Sequence, residues 1–151
     1  MRYMIAESSA PAIELSKEIH ILTNYMHLEK SRIGDRLDQS FHVDGDMNGK
    51  NIAPLLLLPF VENSYKHGVY GKTDQAWISL DIRIKDSELR FKLVNGKCRQ
   101  AGTLSTGTGL HNVRKRLSLL YPQSHDLRIT EDDDTFIVSL TLMLDKISIP
   151  A

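Results

Sequence analysis

Residues 59–68, with the sequence PFVENSYKHG, concentrate side chains that could bind a charged ligand. On a helix, residues four positions apart lie on the same side, so Glu62 is a neighbour of Lys66 and Asn63 is a neighbour of His67. A carboxylate, an amide oxygen, an ammonium group and an imidazole would then surround one small volume. This combination is suited to a triphosphate that carries a magnesium ion.

Each of these four side chains has a possible role at a magnesium–triphosphate. The amide oxygen of Asn63 is a hard, neutral ligand, and Mg²⁺ accepts such ligands beside water and phosphate oxygens. Lys66 can neutralise phosphate charge, His67 can donate a hydrogen bond to a phosphate oxygen, and Glu62 can orient or deprotonate an attacking group. The alternative is a simple helix end, where Lys66 and His67 interact with the helix dipole and Gly68 ends the helix. Considered alone, the stretch favours this structural interpretation.

A second motif, TGTGL at residues 106–110, ends a loop and begins a helix. Glycines at such a place let the backbone approach a phosphate, and the free N–H groups of a helix start bind anions. The alternative is an ordinary flexible loop. Of the three consecutive cations Arg114, Lys115 and Arg116, at least two are expected to be solvated. The candidate phosphate-binding residues of this region are Thr106, Gly107, Thr108, Gly109, Leu110, Asn112 and Arg114.

Hydrophobic spacing predicts the elements that position these motifs. Apolar residues three and four positions apart indicate helices, and alternating apolar residues indicate strands. Ser16 is expected to cap the first helix, and Pro54 is expected to begin the second. The predicted order is a helix over 16–34, a strand over 37–43, a helix over 54–68, strands over 78–84 and 89–93, a loop over 95–107, a helix from 110 that ends before Pro122, and strands over 126–131 and 135–144.

This element order predicts a two-layer α/β (α+β) sandwich with helices on one face of a mixed or antiparallel sheet. Two helices are inserted among strands that are joined largely as hairpins. The sequence contains neither a Walker-type phosphate loop nor a GxGxxG motif, so a doubly wound nucleotide-binding fold is not indicated.

Composition limits the class of protein. The 151 residues form one ordinary domain, and 19 basic residues balance 19 acidic ones, so no overall charge favours nucleic acid. No apolar stretch reaches the ~20 residues that span a bilayer. The single cysteine, Cys98, fits a reducing cytoplasmic setting. Residues 1–9 resemble the tail of a helix, which indicates a fragment of a longer protein.

The two motifs together resemble the Bergerat-type (GHKL) ATP-binding superfamily. PFVENSYKHG is similar to its asparagine-containing motif. STGTGLHNVRKRLSLLYP, residues 105–122, is similar to the glycine-rich motif of the sensor histidine kinase branch typified by LytS. LSKEIHILTNYMHLEKSRIGDRL, residues 15–37, resembles the connecting helix that this branch places before its first ATPase strand. The resemblance covers nearly the whole chain.

The resemblance implies a C-terminal ATP-binding domain that uses ATP and Mg²⁺. Such a domain supports autophosphorylation of a histidine and transfer of the phosphoryl group to a response regulator receiver domain. By motif match, Asn63 would hold Mg²⁺, Glu62 would lie near the reacting phosphate, and Lys66 and His67 would contact phosphates. The loop beneath the phosphates would contain Gly107 and Gly109.

The resemblance also implies a domain organisation. Residues 1–34 would end the dimerisation or connecting helical region, and residues 35–151 would form the catalytic domain. The full-length protein is expected to be a homodimeric, membrane-anchored sensor with this domain in the cytoplasm.

Two departures from the family pattern affect these expectations. The family usually has an Asp-x-Gly motif whose acid binds the adenine amino group, whereas this chain has Leu93-Val94-Asn95-Gly96-Lys97. Val94 is interpreted as standing in the place of the acid, with Asn95 and Gly96 as the remaining candidates for base contact. A neutral amide is a weaker acceptor than a carboxylate, which predicts lower affinity or relaxed base selectivity.

The second departure is that the family's phosphoacceptor segment, of the Asn-Pro-His-Phe type, is not found in this sequence. Among the histidines present, His27 is the best alternative acceptor, although an exposed histidine usually has no such role. The chain alone is expected to bind nucleotide without autophosphorylating.

Two other functions remain open. One is a nucleotide-responsive interaction module that has lost kinase activity, which the missing acid motivates. The other is a different Bergerat-type ATPase or serine kinase, such as an anti-sigma-factor-like protein. The run NVRKRL at residues 112–117 is not expected in that last class.

Overall fold

The computed structural model describes residues 11–69, 75–97 and 108–148, and these ranges contain three α-helices and seven strands. The helices are α1 (Leu15–Ile33), α2 (Leu58–Gly68) and α3 (Thr108–Leu120), with short 3₁₀ helices at Gly34–Arg36 and Leu144–Lys146. The strands are β1 (Ile13–Glu14), β2 (Leu37–Asp44), β3 (Asn51–Ile52), β4 (Ala76–Lys85), β5 (Glu88–Gly96), β6 (His125–Glu131) and β7 (Thr135–Met143).

Five of the strands form a mixed sheet in the order β2-β4-β5-β7-β6. β2 runs parallel to β4, and the other neighbours are antiparallel. A parallel pair needs a crossover connection, and α2 lies in that connection. β1 and β3 form a separate two-stranded ribbon. The predicted two-layer sandwich with helices on a mixed sheet is confirmed.

α1 has the predicted apolar stripe, because Leu15, Ile19, Leu22 and Met26 are all buried. The helix ends at Gly34, which has a φ of 83° and so adopts a conformation that favours glycine. The prediction that Ser16 caps the helix was wrong, since the helix begins one residue earlier. The first N–H group, that of Leu15, instead donates to the carbonyl oxygen of Lys50 at 2.9 Å.

α2 begins at Leu58, so the prediction that it starts at Pro54 was also wrong. Leu55 has a φ of 55°, which no right-handed helix contains. Pro59 lies in the first helical turn, as expected. An N–H group in the first turn has no acceptor within the helix, so the absence of this group from proline costs no helical hydrogen bond.

The core lies between the helices and one face of the sheet. α3 contributes Val113 and Leu117, and Tyr121 follows directly after it. The strands contribute alternate residues, which confirms the predicted alternation: Ile78, Leu80, Ile82, Phe91, Leu93, Val138 and Leu140 are buried. Among the described helices, none combines the length and apolar character needed to cross a bilayer.

Candidate functional site

α2 changes character halfway along its length. Its first half is buried, with Phe60 and Val61 in the core. In its second half Glu62 and Lys66 are exposed, and Asn63 and His67 are half-buried. The four predicted polar side chains therefore lie on the accessible side of one helix, and the opposite side of this helix packs into the core.

The ionisable groups of α2 are perturbed by their surroundings. Partial desolvation raises the pKa of the Glu62 carboxyl group above its usual value. Desolvation lowers the pKa of His67, and the positive charge of Lys66 lowers it further, while Glu131 opposes the change. Both effects favour the neutral form of His67, in which one ring nitrogen is a donor and the other an acceptor.

The end of α2 meets the end of β5 in very close contact. A β-carbon on Gly68 would lie 2.4 Å from Nδ2 of Asn95 and 2.8 Å from the carbonyl oxygen of Gly96. Only glycine lets the helix approach the strand this closely. The sequence motif ending in Gly68 and the segment containing Asn95 and Gly96 are thus brought together.

Asn95 is a buried polar residue, and one of its two side-chain hydrogen-bonding groups has no partner among the described residues. Its side chain is 1% exposed, and its Nδ2 donates to the carbonyl oxygen of Gly96 at 3.0 Å. Its Oδ1 has no hydrogen-bond partner among the described residues. A buried carbonyl oxygen without a partner costs free energy, and such atoms are often satisfied by a ligand or water.

The alternation of β5 places Val94 and Asn95 on opposite faces of the sheet, and the interpretation that Val94 stands in the place of the acid stays a prediction. Leu93 and Asn95 are buried on the side that faces the helices, whereas Val94 is half-buried on the other face. Val94 is paired there with Ser79 of β4 and Ile137 of β7. Asn95 is therefore the polar side chain that β5 directs toward α2.

α3 begins at Thr108, so the prediction that the glycine-rich motif opens a helix is confirmed. Thr108 and Gly109 are the first two residues of α3. Leu110 is half-buried and packs against the core, whereas Asn112 and Arg114 are exposed. Thr106, Gly107, Cys98 and residues 1–9 lie outside the described residues.

Arg116 differs from the two cations that precede it. Arg114 and Lys115 are exposed, as expected for at least two of the three. Arg116 is half-buried and donates to the carbonyl oxygens of Pro54 at 2.8 Å and Leu55 at 3.2 Å. α3 is thereby joined to the segment that leads into α2.

Glu18 of α1 holds the same segment, and the sequence interpretation missed it. Its fully buried carboxylate accepts the N–H groups of Leu55 at 2.9 Å and Leu57 at 3.0 Å. Burial raises the pKa of Glu18, and the hydrogen bonds and the charge of Arg116 oppose that change. The available signal was its spacing, because Glu18 falls on the apolar stripe between Leu15 and Ile19.

α2 packs against α3 and against strands β4 and β5. The candidate site thus consists of the polar side of α2, the end of β5 and the helix that follows the glycine-rich motif. In the described part of the chain, no three His, Cys, Asp or Glu side chains converge as a metal-binding group.

Comparison with known sequences finds that the chain is similar to sensor histidine kinases. Sensor protein LytS of Oceanobacillus iheyensis is 27% identical over 157 aligned positions, which cover 94% of this chain and 27% of LytS. Sensor histidine kinase BtsS of Escherichia coli is 25% identical, with 87% of this chain and 24% of BtsS covered. The chain is homologous to the sensor histidine kinases. It spans about a quarter of the length of these two sensor histidine kinase relatives, and no protein-family model matches it.

Solved structures show the same fold. The catalytic domain of histidine kinase ThkA aligns with a TM-score of 0.61 at 10% identity, covering 88% of this chain and 94% of that domain. ThkA in complex with response regulator protein TrrA aligns with a TM-score of 0.57 at 10% identity, covering 88% of this chain and 41% of ThkA. This sensor histidine kinase homologue therefore has the fold of a histidine kinase catalytic domain.

Proposed function

We propose that this chain is the ATP-binding catalytic domain of a two-component sensor histidine kinase. The whole protein would use ATP to phosphorylate a histidine and then transfer the phosphoryl group to an aspartate of a response regulator. The single observation that carries the proposal is the junction of Gly68 with Asn95. There a buried, unpartnered amide oxygen lies beside the helix that presents Asn63 and His67.

The junction fits the base of ATP. Because Nδ2 of Asn95 is engaged by Gly96, its Oδ1 is left as an acceptor for the exocyclic amino group of adenine. Gly96 also has no room for a side chain, since a β-carbon there would lie 2.7 Å from Nε1 of Trp77. Asn95, with the backbone of Gly96 beside it, would bind the base without a charged residue.

The accessible side of α2 fits the triphosphate. Asn63 would supply the protein ligand for Mg²⁺, which neutralises phosphate charge and orients the triphosphate when it is bound. Lys66 and His67 would contact phosphate oxygens, and Glu62 would lie near the reacting phosphate.

The packing of α3 supports a contribution from the glycine-rich motif. The hydroxyl group of Tyr121 accepts the N–H group of Ala53, while Arg116 contacts Pro54 and Leu55. α3 also packs against α2, so the start of α3 is a candidate part of the same site. The free N–H groups of this start, with Thr106, Gly107, Thr108 and Gly109, would hold phosphates. Leu110, Asn112 and Arg114 would border the same site.

The proposal includes partners and organisation. The ThkA–TrrA complex supports a response regulator receiver domain as the partner. We further infer that the full-length protein is a homodimeric, membrane-anchored sensor with this domain in the cytoplasm. Residues 1–34 would end its connecting region, and residues 35–151 would form the catalytic domain.

Calorimetric titration of Mg·ATP into the purified chain tests the proposal. We expect saturable binding that weakens when Mg²⁺ is removed, and we expect Asn63→Ala to abolish the metal-dependent part. Asn24→Ala, which removes an exposed asparagine of α1, is the matched control and should bind normally. Equal binding by the Asn63→Ala chain and the wild-type chain would refute the assignment of the magnesium ligand.

A nucleotide-responsive module without kinase activity is the second candidate, and the neutral Asn95 favours it. Absent or millimolar binding by the wild-type chain would support that module. Steady hydrolysis of ATP by the chain alone would instead support a different Bergerat-type ATPase. Labelling with γ-phosphate-labelled ATP should leave the chain unmodified, His27 included, because its acceptor histidine is proposed to lie elsewhere.

A further inference from the structure

Three side chains from two helices hold the segment of residues 53–57, which leads into α2. Glu18 comes from α1, Arg116 from α3, and Tyr121 directly follows α3. Together they make five hydrogen bonds to the backbone of this segment, with lengths of 2.8 to 3.2 Å. We call Glu18, Arg116 and Tyr121 the clamp.

The clamp fixes the point at which α2 begins. Leu57 occupies the N-cap position of α2 and, as a leucine, has no side-chain acceptor for the free N–H groups there. Glu18 supplies an acceptor from another helix for one of these N–H groups, that of Leu57 itself, which its Oε2 binds. A negative charge at a helix N-terminus is also favoured by the helix dipole.

The clamp also fixes an unusual backbone conformation. Leu55 has a φ of 55°, which is unfavourable for a residue with a side chain. Its N–H group is bound by Glu18 and its carbonyl oxygen by Arg116. Both backbone polar groups of this one residue are therefore held by side chains from α1 and α3.

The C-terminal end of α2 is also held by a residue that closely follows α1. Arg36, in the 3₁₀ turn that follows α1, donates to the carbonyl oxygen of Val69 at 3.2 Å, directly after α2. Between the two ends, the rings of Tyr25 and Tyr65 pack edge to face at 5.5 Å. α1 and its following turn therefore contact the chain at both ends of α2 and at Tyr65 between them.

We propose that Glu18 and Arg116 are positioning residues for the nucleotide site, which set the orientation of α2 and thereby of Asn63 and His67. The inference rests on the proposed function, because it assigns the regulation of that same site to α1. A displacement of α1 would reach the triphosphate through the clamp. Neither Glu18 nor Arg116 contacts the ligand itself.

The test compares Glu18→Gln with a core variant of similar stability. Glu18→Gln keeps the shape but replaces one acceptor oxygen by an NH₂ group that faces a backbone N–H. We expect its affinity for Mg·ATP to fall about tenfold below the wild-type value at a temperature where both chains are folded. Hydrogen exchange of the Leu55 and Leu57 amides should become faster in the same variant, without any ligand present.

Leu89→Ala is the matched control. Leu89 is buried near the far end of β5, six residues from Asn95, so its truncation destabilises the core away from the site. We expect this variant to bind Mg·ATP with wild-type affinity. Arg116→Lys, which keeps the charge with a single donor group, should lose less affinity than Arg116→Met.

Each outcome separates the two claims. If the wild-type chain binds Mg·ATP and Glu18→Gln binds equally well, the positioning role is wrong and the proposed function stands. The positioning role is equally wrong if Leu89→Ala loses as much affinity as Glu18→Gln, since general destabilisation would then explain both losses. A wild-type chain that binds no nucleotide overturns the proposed function and, with it, this role.

Discussion

Gly68 at the end of α2 and Asn95 near the end of β5 are packed so tightly that no side chain fits between them. The nearest Asn95 atom would be 2.4 Å from a β-carbon on Gly68. Carbon and nitrogen atoms do not approach this closely, so one of the two groups would have to shift. Any residue other than glycine must therefore displace either the helix end or the amide that is proposed to bind the base.

Gly68→Ala should consequently damage both stability and nucleotide affinity. We expect a loss of about 1–3 kcal/mol of unfolding free energy from overpacking, measured by urea denaturation, together with weaker Mg·ATP binding in calorimetry. Gly49→Ala is the control, because Gly49 has a φ of 71° and no described atom within 4 Å of a β-carbon. It should lose stability through backbone strain and keep its affinity. Normal binding by Gly68→Ala would contradict the placement of the base.

Asn95 should make the chain a poor discriminator between ATP and GTP. The oxygen of the Asn95 amide can accept from the amino group of adenine, and the second N–H of its NH₂ group, beyond the one bound by Gly96, can donate to the carbonyl oxygen of guanine. An ionised carboxylate can only accept. We expect the ratio of ATP affinity to GTP affinity to be at least tenfold higher in Asn95→Asp than in the wild-type chain, which corresponds to about 1.4 kcal/mol. Competition titrations with both nucleotides measure the ratio, and an unchanged ratio would argue against contact with the base.

His67 should make nucleotide affinity depend on pH. Its pKa is lowered in the free chain, and nearby phosphate charge should raise the pKa in the complex. Affinity for Mg·ATP is therefore expected to increase as the pH falls from about 7.5 toward 6, because the complex takes up a proton. His67→Gln should remove this increase. A pH profile that is identical in the two chains would exclude His67 from the phosphate site.

The same shift has a consequence for folding. Because the folded-state pKa of His67 lies below 6.5, protonation of this ring is less favourable in the folded protein than in the unfolded chain. The free energy of unfolding is therefore expected to be larger above pH 6.5 and to decrease as the pH falls through the folded-state pKa. Removal of the positive charge by Lys66→Gln should move the His67 pKa upward, which an NMR titration of the ring protons would detect. A downward movement would show that Lys66 does not act on His67 through charge.

Gly109→Val should abolish nucleotide binding and leave the fold intact. Gly109 is the second residue of α3, where a branched side chain would fill the space that is proposed for phosphate. Circular dichroism should retain the wild-type spectrum while calorimetry shows no binding. Ser118→Val, on the exposed side of α3, controls for the loss of helix propensity. Full binding by Gly109→Val would remove the glycine-rich motif from the site.

Periodicity in the sequence predicted most of the fold, because the apolar positions of α1, α3, β4 and β5 follow their secondary structure closely. The start of α2 was predicted four residues too early. Proline is common at the start of a helix, but hydrogen bonds from Arg116 to Pro54 and from Leu57 to Glu18 hold residues 54–57 in a turn. Local sequence carries no record of such long-range partners.

The candidate site was predicted to a similar extent. The polar side of α2 follows from helical spacing alone, and the structure presents Glu62, Asn63, Lys66 and His67 as expected. The face of the sheet to which Asn95 points could not be predicted from the sequence, because the resemblance to the family aligns Val94, and not Asn95, with the acid that binds the base. Only the strand register identifies Asn95 as the inward residue.

The parallel pairing of β2 with β4 has a consequence for the order in which the protein assembles. Ser40 and Ser79, whose hydroxyl groups are hydrogen-bonded across this pair, are 39 residues apart in the chain. The hairpins β4–β5 and β6–β7 close over short loops, whereas this pair must first close a long one, which slows folding. α2 lies inside that long loop, so a newly synthesised chain gains a competent α2 only after β4 has emerged and docked.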